Sequence, residues 1–200
     1  KGVHTGTPMR PELFTGSREN GLAFAGFDGR KPVLLMMGGS QGAQAVNEAL
    51  RAALPQILPR VDVLHLCGKG KLAPELQGTP GYFQAEFVSA GLNDVLAAAD
   101  YVLSRAGATA ISEFLALKKP MLLVPLPLSA SRGDQIVNAK DYEKRGLGKV
   151  LPQEQMTPDS LASALFDLMD QADTLKANMA KEPGADGSEA VLALIRGLVT

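Results

Sequence analysis

The run Pro32-Val33-Leu34-Leu35-Met36-Met37-Gly38-Gly39-Ser40-Gln41-Gly42-Ala43, leading into Gln44 to Leu54, decides the fold class. Its first half carries no charge and reads as a strand buried on both faces, ending at the glycine pair. After the glycines, Ala45, Val46, Ala49, Leu50 and Leu54 share one helical face. A buried strand, a glycine turn and an amphipathic helix make the opening unit of an α/β fold.

The same alternation continues down the chain. Val61–Leu66 reads as a second strand, Leu72–Leu76 as a short helix and Gly81–Phe87 as a third strand. Leu92–Ala99 is helical. Tyr101–Leu103 is a fourth strand, and a helix over Thr109–Leu117 follows. Pro120–Val124 is a fifth strand. Asp134–Lys144 is a helix closed by Gly146 at its C′ position. Gly148–Leu151 is a sixth strand. Thr157 caps a helix over Leu161–Met169, and two more helical stretches follow. The pattern predicts a Rossmann-like, doubly wound parallel sheet of about six strands. The expected division is a linker over 1–31, read as loop, a Rossmann-like domain over 32–165 and C-terminal helices over 166–200.

Composition narrows the partners. The 200 residues carry 20 Lys+Arg against 21 Asp+Glu, a net charge of −1. Nucleic acid would want a basic excess, so it is not the expected partner, although one phosphate at one site remains open. A chain of this length can bury about 70% of its unfolded surface. The one cysteine, Cys67, excludes a disulfide framework, and with only two histidines, His4 and His65, a histidine metal cage is not expected. The lone thiol points to the cytoplasm. No run approaches the roughly 20 apolar residues of a membrane span.

Ligands of such sheets bind beyond the carboxyl ends of the strands, so chemistry is sought there. Gly38-Gly39-Ser40-Gln41-Gly42-Ala43 fits an anion cradle at a helix N-terminus, with Ser40 as a hydroxyl donor. It equally fits a tight turn that needs glycine. It is neither a P-loop nor a dinucleotide fingerprint. Arg105-Ala106-Gly107-Ala108-Thr109-Ala110-Ile111-Ser112-Glu113 offers small residues that admit a diphosphate to a second helix N-terminus. Glu113 stands one turn in, where a carboxylate can accept ribose hydroxyls or simply favour the helix start. Pro125–Asn138 places Asp134 and Gln135 at a third helix start, as sugar-hydroxyl partners or, for Asp134, as an N-cap. Cys67 and His65 read as packing residues, and Gly68-Lys69-Gly70-Lys71 as a solvated turn. His4 carries no partner signal.

Taken in order, Gly6-Thr7-Pro8-Met9-Arg10, Gly38–Ala43, Arg105–Ala108 with Glu113, and Asp134-Gln135 with Asn138 resemble the C-terminal domain of the MurG family of N-acetylglucosamine transferases. The likeness runs over residues 4–165. It implies the donor-binding half of a two-domain GT-B glycosyltransferase. Such an enzyme moves N-acetylglucosamine from UDP-N-acetylglucosamine to a lipid-linked muramyl-pentapeptide, by inverting displacement without metal or other cofactor. By motif position, Arg10 would lie against the nucleotide, Ser40 would touch the diphosphate and Val88 would read the uracil edge through its backbone. Ala108, Thr109 and Ala110 would hold the phosphates, with Ile111 and Ser112 beside them. Glu113 would bind the ribose and Gln135 the sugar. The family often has Asn at the place of Thr7, Gln at that of Asp134 and Leu-Thr at that of Thr109-Ala110.

No catalytic residue is expected here. The family's Gly-rich loop and catalytic His belong to an acceptor-handling half that would precede Lys1. The resemblance also implies a peripheral place on the cytoplasmic face of the membrane, through that other half. Three alternatives stand: a transferase using another lipid acceptor, a dinucleotide-dependent oxidoreductase and a non-catalytic nucleotide-sugar-binding module.

Overall fold

The computed structural model describes residues 3, 5–39, 43–182 and 186–199. The strands are β1 (Val33–Met37), β2 (Asp62–Leu66), β3 (Tyr82–Ala85), β4 (Tyr101–Ser104), β5 (Met121–Leu123) and β6 (Lys149–Val150). They form one sheet in the order β3-β2-β1-β4-β5-β6, and every neighbouring pair is parallel. The order reverses between β1 and β4, which opens a crevice at their carboxyl ends.

The helices are α1 (Arg18–Ala25), α2 (Gln44–Ile57), α3 (Leu92–Ala98), α4 (Ala108–Ala116), α5 (Asp134–Lys144), α6 (Pro158–Asp170), α7 (Ala172–Met179) and α8 (Ser188–Val199). Alternating strand residues point to opposite faces. Val33, Leu35, Val102 and Leu123 therefore pack under Val95 and Leu96 of α3, Phe114 of α4 and Tyr142 of α5. Leu34, Met36, Leu103 and Leu122 meet Val46, Leu50 and Ile57 of α2 and Leu161 and Leu165 of α6 on the other face. Both faces are covered, so the strands carry no polar–apolar alternation.

Helix ends follow local chemistry. Thr157 and Ser160 form a capping box at α6, each side chain accepting the other's backbone N–H. Gly146 closes α5 in the left-handed region as expected, with Leu147 N–H donating to Tyr142 C=O. At α4 the same closure falls on Lys118 (φ 52), while Lys119 N–H donates to Phe114 C=O and Lys118 N–H to Leu115 C=O.

Three expectations change. The loop expected before β1 contains a 3-10 turn (Pro11–Phe14) and α1. Ser17 caps α1, and the helix lies against α3 because Gly16 and Gly21 have no side chain. A Cβ would stand 2.0 Å from Asn93 O at the first and 2.2 Å from Asp94 O at the second. Residues 72–76 hold only a 3-10 turn, Pro74–Leu76. The division at 165/166 falls inside α6, where Leu165 and Leu168 are buried together.

Candidate functional site

The expected motifs meet at the crevice. After β1, a Cβ on Gly38 would stand 2.7 Å from Ala43 N, so the turn needs glycine, and Gly39 has φ 86. Ser40, Gln41 and Gly42 lie outside the described residues, as does His4. After β4, the first intrahelical bond of α4 runs from Ile111 N–H to Gly107 C=O. The N–H groups of Ala108, Thr109 and Ala110 therefore precede the helix ladder, at the end where the dipole is positive.

Glu113 sits on the inner side of α4, its side chain only 14% exposed, and Arg10 reaches it at 3.1 Å with a side chain 65% exposed. Arg10 is carried there by the segment before the 3-10 turn. Thr7 Oγ1 donates to Ser112 Oγ at 3.4 Å in the same segment. The segment is fixed from below. Gly187 N–H donates to Thr7 C=O at 2.9 Å, and Met9 N–H lies 3.1 Å from Ser188 Oγ and 3.3 Å from Asp186 Oδ1. A Cβ on Gly187 would meet Thr5 O at 2.5 Å. The start of α8 thus clips the segment that presents Arg10.

Val88 follows β3, half-buried against the core. Beside it, Arg10, Leu13, Ala90 and Asn93 line a hollow of about 200 Å³. After β5, Gln135 Oε1 accepts Leu126 N–H at 3.2 Å, and Asn138 Nδ2 donates to Ala106 C=O at 3.1 Å. Asp134 is not the cap of α5; Gly133 (φ 91) holds that position with no side-chain bond. Ile111 is buried in the core and its N–H is committed to Gly107, so only its neighbours offer polar groups to a ligand.

Residues to which the motifs gave no role brace the crevice. Ser104 Oγ donates to Met37 C=O at 2.6 Å, joining β4 to the β1 turn. Arg105 donates to Val124 C=O, Pro125 C=O and Gln153 Oε1, and burial pushes its guanidinium below the ordinary value. A charged residue between a strand and a small-residue turn is the signal that could have marked Arg105. The Asp-Gly-Ser triplet ahead of the apolar run of α8 could have marked the clip.

Behind the crevice, His65 is fully buried and lies within a directional chain. Asn47 Nδ2 donates to Cys67 C=O at 2.8 Å, so Asn47 Oδ1 faces His65 Nε2 at 2.9 Å and that nitrogen carries the proton. His65 Nδ1 then accepts from the Tyr82 hydroxyl at 2.8 Å. Burial, and secondarily the nearby Arg51 cation, lower the His65 pKa to about 3. Burial pushes the Cys67 thiol up. Both have the packing role expected. At the Gly68–Lys71 turn, Gly70 N–H donates to the Glu86 carboxylate at 2.7 Å, so this loop already holds an anion of its own. Among the described residues no group of three or more His, Cys, Asp or Glu could hold a metal ion. No helix among them is long and apolar enough to cross a membrane.

The sequence profile of the glycosyltransferase family 28 C-terminal domain matches residues 33–192. The chain belongs to this family. Within family 28 it is 50% identical over 196 residues to the UDP-N-acetylglucosamine–N-acetylmuramyl-(pentapeptide) pyrophosphoryl-undecaprenol N-acetylglucosamine transferase of Geobacillus thermodenitrificans, covering 98% of this chain and 55% of that protein. The protein of the same name from Lachnoclostridium phytofermentans is 47% identical over 195 residues, covering 98% and 55%. The chain thus spans about half the length of the curated relatives it matches. The crystal structure of Acinetobacter baumannii MurG superposes with a TM-score of 0.70 at 28% identity, over 93% of this chain and 55% of that one. The calicheamicin glycosyltransferase CalG4 shares the fold, with a TM-score of 0.60 at 22% identity over 86% and 45%. The crevice between β1 and β4 lies within the residues that the family 28 profile matches.

Proposed function

We propose that this chain binds UDP-N-acetylglucosamine and presents it as the donor half of a transferase that passes N-acetylglucosamine to an undecaprenyl-pyrophosphoryl muramyl-pentapeptide. The observation that carries the reading is the junction of Glu113, Arg10 and the N–H groups of Ala108–Ala110 at one crevice, in a chain half identical to transferases of that name. Glu113 would accept the ribose hydroxyls, the first turn of α4 would hold the diphosphate, and Val88 would read the uracil through its backbone. Ser40 and Ser112 would flank the phosphates. Gln135 would meet the sugar hydroxyls.

As the bond to the anomeric carbon breaks, charge grows on the departing diphosphate. Helix N–H groups fixed in advance stabilise that charge without reorganising. The acceptor hydroxyl needs a general base, which we assign to the remainder of the longer enzyme, along with acceptor choice and contact with the cytoplasmic face of the membrane.

Titration calorimetry tests the reading. Heat with UDP and with UDP-N-acetylglucosamine, absent with NAD and lost in Glu113→Ala, is expected. No heat with either uridine ligand, or equal heat in the variant, overturns it.

A further inference from the structure

Arg105 leaves β4 at its carboxyl end, and among the described residues its contacts are all neutral. One nitrogen donates to Val124 C=O at 3.0 Å and Pro125 C=O at 3.3 Å; another donates to Gln153 Oε1 at 2.7 Å. Val124 and Pro125 end the β5 strand path, and Gln153 lies in the 3-10 turn after β6. A half-buried guanidinium without a carboxylate is costly as a source of stability alone. Its particular capability is a rigid planar fork that fixes several acceptors in one geometry.

What the fork fixes is short to trace. Pro125 is joined by one peptide bond to Leu126, whose N–H donates to Gln135 Oε1 at 3.2 Å. Ser131 Oγ donates to the carbonyls of Leu126 and Pro127 at 3.4 and 3.3 Å, and accepts Gly133 N–H at 3.2 Å. Gly133 begins α5, which returns to the β4 turn through Asn138 and Ala106 C=O. The loop between β5 and α5 is therefore anchored at one end by Arg105, and the Gln135 amide takes its orientation from that anchor.

We propose that Arg105 is a positioning residue for the donor sugar. It sets the Leu126 amide, through it the side chain of Gln135, and so the recognition of the sugar apart from the nucleotide. The proposal rests on the reading of Gln135 as a sugar-facing residue.

Two measurements on this chain test it. In the ligand-free chain, Arg105→Gln should raise hydrogen exchange over 125–135 while β1 and α2 keep wild-type protection. Unchanged protection of 125–135 overturns the anchor whatever the chain binds. In calorimetry, Arg105→Gln and Arg105→Lys should both weaken UDP-N-acetylglucosamine about tenfold, the worth of one hydrogen bond to a bound sugar, and leave UDP within about twofold. Lysine keeps the charge and loses the fork, so recovery by Arg105→Lys overturns positioning in favour of simple charge. Equal losses for both ligands also overturn it. Thr157→Ala, which weakens the α6 cap away from the crevice, should lower the melting temperature without changing the ratio of the two affinities. A wild-type chain that binds neither ligand defeats the functional reading and the sugar-specific part of the proposal, while the exchange result still decides the anchor.

Discussion

Arg10 and Glu113, 103 positions apart in the chain, meet at 3.1 Å, with the cation mostly in solvent and the carboxylate mostly out of it. An ion pair so exposed on one side contributes within about 1 kcal/mol to stability. Its interest lies in placing a half-shielded carboxylate beside the N-terminus of α4. Glu113→Ala should therefore cost about 10- to 100-fold in UDP affinity, the loss of charged bonds to the ribose. Thermal unfolding should stay near wild type. Calorimetry and melting of the same sample check both, and a large melting shift with unchanged affinity would give Glu113 a structural role instead.

His65 predicts an acid limit. Unfolded, the imidazole takes a proton near its ordinary value of 6.5; folded, it resists until about 3. Between those values the unfolded chain holds the extra proton, so falling pH favours unfolding, by at most about 1.4 kcal/mol per pH unit from this group. Stability from His65 is complete above 6.5 and is lost on the way down to 3. Denaturant unfolding from pH 7 to 4 should show a steeper decline in wild type than in His65→Gln, even though the variant starts lower. Parallel curves would remove His65 as the cause.

Gly187→Ala should strain the clip, because the added Cβ would meet backbone atoms of Thr5 and Gly6 at 2.5 and 2.6 Å. A loss of about 1–3 kcal/mol is expected, a fall of several degrees in melting temperature. Hydrogen exchange at the amides of residue 187 and Met9, the donors of the clip, should rise with it. Full protection there would show that the clip tolerates the methyl group.

Lys118→Gly should stabilise the chain by about 0.5–1 kcal/mol. The left-handed closure of α4 charges a side chain for a conformation that glycine adopts freely, partly offset by glycine's larger unfolded freedom. Melting curves read the difference directly, and a lower melting temperature would mean that the Lys118 stem packs usefully.

The sheet was legible because its strands are buried on both faces. Runs such as Val33–Met37 and Met121–Leu123 carry no charged or polar residue, and Gly38-Gly39 after the first and Pro125 after the second mark where they stop. The turn after β1 was legible where close approach restricts residue type, at Gly38, whose added Cβ would meet Ala43. Helix α1 was hidden because its face is set by close contact at Gly16 and Gly21, which reads in sequence as a loop. The division at 165/166 cut a helix that the sequence itself showed, since Leu161, Leu165 and Leu168 follow one helical repeat across it. Ser104, Arg105 and the Asp186–Ser188 clip bond backbone groups of distant segments, so local sequence could mark the residues but not their partners.

That clip closes the polypeptide into a ring held by hydrogen bonds. A ring carries tension, and force applied between its two ends would load the clip at Thr7, Met9 and Gly187 before it reached the sheet. Arg10 is the next residue along. The pairing at Glu113 would feel such a pull while the strands remained at rest.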